Sequence, residues 1–75
     1  MPTLRELRLG RLWSQRELAR RAGVAEWTVV AAEAGRRVPR LVTMRKLAEA
    51  LAVEWHVIDE FRRAVEAKGG RANES

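Results

Sequence analysis

The sequence has no cysteine and a single histidine in 75 residues. The first absence excludes disulfides and thiolate metal sites, and one imidazole cannot build a histidine-ligated zinc centre. No apolar run approaches the roughly 20 residues of a membrane span. The first residues are mixed and charged, unlike a signal sequence. Internal repeats are missing, and so is any stretch that reads as a linker between domains. What remains is a chain of one domain, near the lower limit at which a core forms without staples. Its balance of 47% apolar and 33% charged residues is that of an ordinary globular protein. These features lead us to expect a soluble cytoplasmic module with little room for an enclosed active site.

Catalytic chemistry finds no foothold. His56 stands alone beside Trp55 and reads as a surface residue. Ser14 is better used as a helix cap than as a nucleophile, and Asp59-Glu60 has no partner at metal-ligating spacing. No glycine-rich phosphate loop is present. We therefore expect no enzyme, no metal and no cofactor.

Apolar spacing predicts five short helices, and no segment alternates convincingly as a strand. The first runs over about 4–11, with Leu4 and Leu7 on one side, Thr3 and Glu6 at capping-box spacing, and Gly10 weakening its last turn. The second runs over 15–22, with Ser14 and Glu17 as a second capping-box match and Leu18, Ala19 and Ala22 facing inward. Gly23 ends it. The third spans 26–34 with Val29 and Ala32 inward, and Gly35 stops it. Residues 36–40, Arg-Arg-Val-Pro-Arg, form a basic loop, because Pro39 disfavours helix at Val38. The fourth covers about 41–51, with Leu41, Met44, Leu47, Ala48 and Leu51 at core spacing. The fifth covers about 55–67 through Trp55, Ile58, Phe61 and Val65, and Gly69-Gly70 ends order. Helices this short need one another for stability, so the fold class is all-α, a compact five-helix bundle.

Charge gives the first functional hint. The chain carries 15 basic and 10 acidic residues, a net of +5. Residues 1–45 hold ten basic and four acidic groups, whereas residues 46–75 hold five and six. A one-sided basic excess is the footprint of a polyanion binder. A GC-rich genome explains a preference for Arg over Lys, but not the asymmetry.

Three runs carry a family resemblance: Ser-Gln-Arg-Glu-Leu-Ala-Arg-Arg-Ala-Gly-Val at 14–24, Glu-Ala-Gly-Arg-Arg-Val-Pro at 33–39 and Lys-Leu-Ala-Glu-Ala-Leu-Ala-Val at 46–53. In order and spacing they resemble the helix-turn-helix domain of the Cro/lambda-repressor-like (Xre) family. The family pattern also places one helix before this stretch and one after it, covering about 4–67. The Gly69-Gly70 pair leaves 69–75 as a flexible C-terminal tail. The resemblance implies a DNA-binding domain, placed at residues 1–68. It also implies a transcriptional regulator or repressor acting on double-stranded DNA, usually as a homodimer.

By the same resemblance, Gln15 contacts a phosphate from the start of the second helix, with Arg16 beside it. Arg36, Arg37 and Arg40 follow the sugar-phosphate backbone. Arg8 and Glu33 match a structural salt bridge. The base-facing positions of the third helix are Ala25, Glu26, Trp27, Thr28, Val30 and Ala31. Arg45, Arg62 and Arg63 read as solvated surface charges, and Trp13, in place of a family Leu, as core packing.

The base-facing set departs from the pattern. It contains no Gln, Asn, Arg or Lys to form a bidentate contact with a purine. Ala25 supplies no cap, and Glu26 repels phosphates. Trp27, Val30, Ala31 and Ala34 recur at helical spacing on what should be the exposed side. Three readings stand open: apolar contact with a thymine-rich site, a protein-binding surface anchored by Trp27, or a register shift that puts Trp27 in the core. The alternative to a DNA regulator is thus a protein-interaction module on a helix-turn-helix scaffold, with a protein partner at the third helix. Among Trp55, Val57, Ile58, Phe61 and Val65, about half should stay exposed in a monomer and favour dimerisation.

Overall fold

The computed structural model describes the backbone of residues 2–72 and the side chains of residues 2–67. Among them it forms five α-helices and a short 3-10 turn, with no strand: α1 (Leu4–Gly10), α2 (Gln15–Ala22), α3 (Glu26–Ala34), α4 (Leu41–Ala50), the turn Trp55–Val57 and α5 (Asp59–Ala72). No helix among the described residues is long and apolar enough to cross a membrane.

Local chemistry explains the helix starts. The Thr3 hydroxyl accepts from the Glu6 amide, and the Glu6 carboxylate accepts from the Thr3 amide, so α1 opens with a complete capping box. At α2 the box is half made. Ser14 Oγ accepts from the Glu17 amide at 3.0 Å, but the Glu17 carboxylate turns outward to Arg20 and Arg21. Two guanidiniums within reach outcompete one backbone N–H for that carboxylate. Neither α3, which starts after Ala25, nor α4, which starts after Arg40, has a side-chain cap.

The first four helices end alike. Leu12, Gly23, Gly35 and Ala52 each take a left-handed conformation, with φ of 60°, 73°, 73° and 58°. In each case the next amide reaches back over the last turn: Trp13 to Arg8, Val24 to Ala19, Arg36 to Ala31 and Val53 to Ala48, at 3.0–3.2 Å. This is the six-to-one closure that satisfies orphan carbonyls at a helix end. Glycine suits it, yet two of the four ends use residues with a Cβ.

The core joins Leu4, Leu18, Ala19, Val29, Ala32, Met44, Leu47, Ala48, Leu51, Ile58 and Phe61, all buried. Leu7, Trp13, Ala22, Val24 and Val65 pack around it. Ala19 and Ala32 are the small residues of the inner faces of α2 and α3, and small side chains there let the two helices lie close. The start of the chain is tied to α5. The Asp59 amide donates to the Pro2 carbonyl at 2.8 Å, and Glu60 Oε1 accepts from the Leu4 amide at 3.0 Å.

Three expectations are corrected. Leu41 is 61% exposed instead of buried, because the first turn of α4, including Val42, protrudes past its neighbours. The fifth segment is not one helix from Trp55. Ile58 is extended, with ψ of 115°, which breaks the chain into the 3-10 turn and α5 and leaves Trp55 39% exposed. The break lets both Ile58 and Phe61 seal the core. The fifth helix also does not end at about 67, since α5 continues through Gly69-Gly70 to Ala72. Of the expected flexible tail at 69–75, residues 73–75 lie outside the described residues.

Candidate nucleic-acid interface

The arrangement begins with the α2–α3 turn. Gly23 reverses the chain in three residues, and Val24 packs inward behind it. Val29 and Ala32 anchor α3 to the core, so the opposite side of the helix faces out. Trp27 is 61% exposed. The register shift that would bury it is therefore excluded. Ala25, Glu26 and Ala34 are also exposed, and Thr28, Val30 and Ala31 are half-buried.

A buried ion pair fixes the position of α3. Arg8 Nε donates to Glu33 Oε2 at 2.6 Å, and Arg8 Nη2 to Glu33 Oε1 at 3.0 Å. The two side chains are only 8% and 4% exposed. Arg8 Nη1 also donates to the Trp13 carbonyl at 2.7 Å. The pair thus clamps α1, the α1–α2 loop and α3 at one point. Gln15 joins it, because its Nε2 donates to Glu33 Oε1 at 3.1 Å. One amide hydrogen is engaged inward and the second is left for another acceptor, so the clamp orients the side chain at the start of α2.

Trp13 sits at the edge of the core under two cations. The guanidinium carbons of Arg21 and Arg11 lie 4.3 Å and 5.5 Å from its ring centre, close enough for cation–π attraction. Arg11 also donates to the Leu51 carbonyl, which links the α1–α2 loop to the end of α4.

Two depressions border the exposed stripe of α3. Gln15, Val30 and Ala34 line one, together with Arg5, Arg8 and Glu33. Trp27, Thr28, Ala31, Arg37, Val38 and Arg40 line the other, closed by Pro39 and Thr43. The start of α2 and the α3–α4 loop therefore flank the same side of α3. Arg37 leans toward Trp27, with its guanidinium carbon 5.9 Å from the ring centre. Val38, 60% exposed, completes the apolar lining. Sequence reasoning missed Val38 as a site residue. The available signal was a single apolar side chain inside a run of arginines.

The ion pairs sort the cations into two groups. Arg20 and Arg21 share Glu17, while Arg62 and Arg63 are held by Asp59, with Glu66 also on Arg62. The hydrogen bond from Arg20, aided by Arg21, holds the Glu17 carboxyl below the ordinary glutamate range. The Arg62 guanidinium is pushed above its usual value, chiefly by Glu66 and then Asp59. Among the described residues, no ion pair involves Arg36, Arg37, Arg40 or Arg45, and all four are exposed. Arg16 is loosely engaged, 3.9 Å from Glu26 with both side chains exposed. That contact offsets the one carboxylate at the start of α3.

A helix-turn-helix family model matches residues 4–58, well over half of the chain. Comparison with curated proteins and with solved structures finds no match. The matched span begins at the start of α1 and takes in the clamp, the turn, the exposed stripe and the basic loop; the chain belongs to the Cro/lambda-repressor-like helix-turn-helix family of DNA-binding domains.

Proposed function

We propose that this protein is a transcriptional regulator that binds double-stranded DNA with α3 in the major groove. The α3–α4 loop and the start of α2 lie on the phosphates at either side. Arg36, Arg37 and Arg40 supply most of the affinity, with Arg16 and the second amide hydrogen of Gln15 at the α2 flank. Ala25, Glu26, Trp27, Thr28, Val30 and Ala31 face the bases. The observation that carries this reading is the sorting of charge. Arg20, Arg21, Arg62 and Arg63 are each held by a carboxylate, whereas Arg36, Arg37 and Arg40, beside the exposed side of α3, have no such partner among the described residues; Arg5, Arg11, Arg45 and Lys46 also lack one, and Arg16 has only the loose contact with Glu26. A guanidinium without an internal partner is free to displace counterions from a duplex, the main source of affinity for DNA.

The regulator would act in the cytoplasm as a repressor and as a homodimer. Two copies of α3 about 34 Å apart would then read half-sites one turn of DNA apart.

Position is the property to test, separately from net charge. Arg37→Glu and Arg63→Glu change the total charge equally, but Arg63 lies on the carboxylate-paired side. In a gel-shift titration with a 30-bp duplex, as a probe of about three turns, Arg37→Glu should weaken binding by roughly tenfold or more, and Arg63→Glu should change little. Equal loss in both would contradict the assigned face. The interaction-module alternative draws on the exposed Trp27. It requires that no variant alter DNA binding above background and that Trp27→Ala abolish capture of a protein partner.

A further inference from the structure

We infer that the depression between α3 and the α3–α4 loop is a thymine-reading site, which recognises the C5-methyl group and its neighbouring O4. This rests on the DNA-binding reading above and adds what the surface selects.

The lining sets the chemistry. Trp27, Ala31, Val38 and Pro39 supply its apolar part. In the major groove, the C5-methyl of thymine is the one apolar group that a base pair presents. The polar part holds the guanidiniums of Arg37 and Arg40, which only donate, and the hydroxyls of Thr28 and Thr43, which donate or accept. Among the described residues, no carboxylate or amide side chain lines it. Thymine O4, beside the methyl, accepts hydrogen bonds. Cytosine at the same place presents an N4 amino group, which only donates. An apolar hollow with two donor-only guanidiniums therefore suits thymine and disfavours cytosine, even when cytosine carries a C5-methyl group.

Charge identifies the occupant as nucleic acid. Arg37 and Arg40 line the depression and Arg36 adjoins them in the chain, all three without a carboxylate partner among the described residues, complementary to the phosphates of a nucleic-acid strand. The arrangement also explains why α3 has no amide or guanidinium reader. Trp27 and Ala31 occupy its exposed side, and Val38 is brought beside them by the left-handed turn at Gly35 and the restraint of Pro39.

The test begins with selection from a randomised 20-bp duplex pool, long enough for two turns. The recovered duplex is then remade with deoxyuridine in place of each thymine in turn, which deletes the methyl and leaves every hydrogen-bonding group. Affinity should fall about fourfold at one or two positions, the effect of one buried methyl. In Trp27→Ala the same replacements should have no effect, and circular dichroism should show the fold unchanged. A 5-methylcytosine·guanine pair at the decisive position should not restore affinity. Deoxyuridine without effect everywhere, or full restoration by 5-methylcytosine, would overturn the assignment while DNA binding itself stands. Failure of the pool to bind at low salt would instead remove the reading on which the inference depends.

Discussion

Glu33 receives three hydrogen bonds on two oxygens, from Arg8 Nε, Arg8 Nη2 and Gln15 Nε2. Its burial makes the pair expensive to break and of modest net worth intact. Glu33→Ala should cost about 3–5 kcal/mol by leaving a guanidinium buried without its carboxylate. Replacing both partners, as Arg8→Met with Glu33→Leu, should recover most of that loss. Urea denaturation of the three variants checks the pattern, and a double variant no more stable than the single one would contradict it. The family resemblance implied the Arg8–Glu33 pairing at positions 25 apart, which periodicity alone does not supply. The link from Gln15 was not legible, because it depends on how closely α2 approaches α3. Spacing pointed to an exposed Trp27 without deciding it: with Val29 and Ala32 turned inward, residue 27 falls on the opposite side of a helix, but a register shift that buries it stayed open until the structure showed it exposed. Leu41 and Trp55 have the same apolar signal and are exposed. Spacing names the face of a helix but not where the neighbouring elements stop.

The helix ends show where sequence patterns run out at the scale of an element. Gly23 and Gly35 announced two closures, and Leu12 and Ala52 make the same closure without announcing it. A residue with a Cβ pays about 1–2 kcal/mol in the left-handed region. Leu12 is 92% exposed, so its side chain gives little back. Leu12→Gly should therefore raise stability by about 1 kcal/mol, or several degrees in Tm. Gly23→Ala should lower it by a similar amount, although no neighbouring atom lies within 4 Å of the added Cβ. A thermal scan that found the reverse order would refute the strain argument. The α3 start offers a separate gain. Ala25 has the extended backbone of a cap but no acceptor, so Ala25→Ser should add about 1 kcal/mol. In α2, the depressed Glu17 carboxyl stabilises the folded state above the ordinary glutamate pKa. That contribution is lost as pH falls through the lower folded value. Glu17→Gln should thus flatten the decline of Tm below about pH 4.3, while an unchanged acid limb would show that the Arg20 and Arg21 contacts do not persist in solution. The division of the fifth segment was hidden for a different reason. It depends on the Pro2 carbonyl meeting the Asp59 amide, a contact between the start of the chain and the first residue of α5.

Across the whole molecule, five short helices close one core and leave one side of α3 outside it. The basic excess of residues 1–45 was plain from counting, but counting cannot tell a paired arginine from an unpaired one. Folding makes that distinction by giving Arg20, Arg21, Arg62 and Arg63 carboxylates at helical spacing. The loop arginines, beyond the end of α3 and before α4, have no such neighbour among the described residues. The salt dependence of duplex binding measures this difference most directly. Log affinity against log salt should be linear, with a slope of about −0.9 for each phosphate contacted. Arg36→Ala with Arg37→Ala should reduce its magnitude by about 1.8, whereas Arg63→Ala should leave it in place. An affinity that does not change with salt, or a slope that survives loss of both loop arginines, would contradict the account.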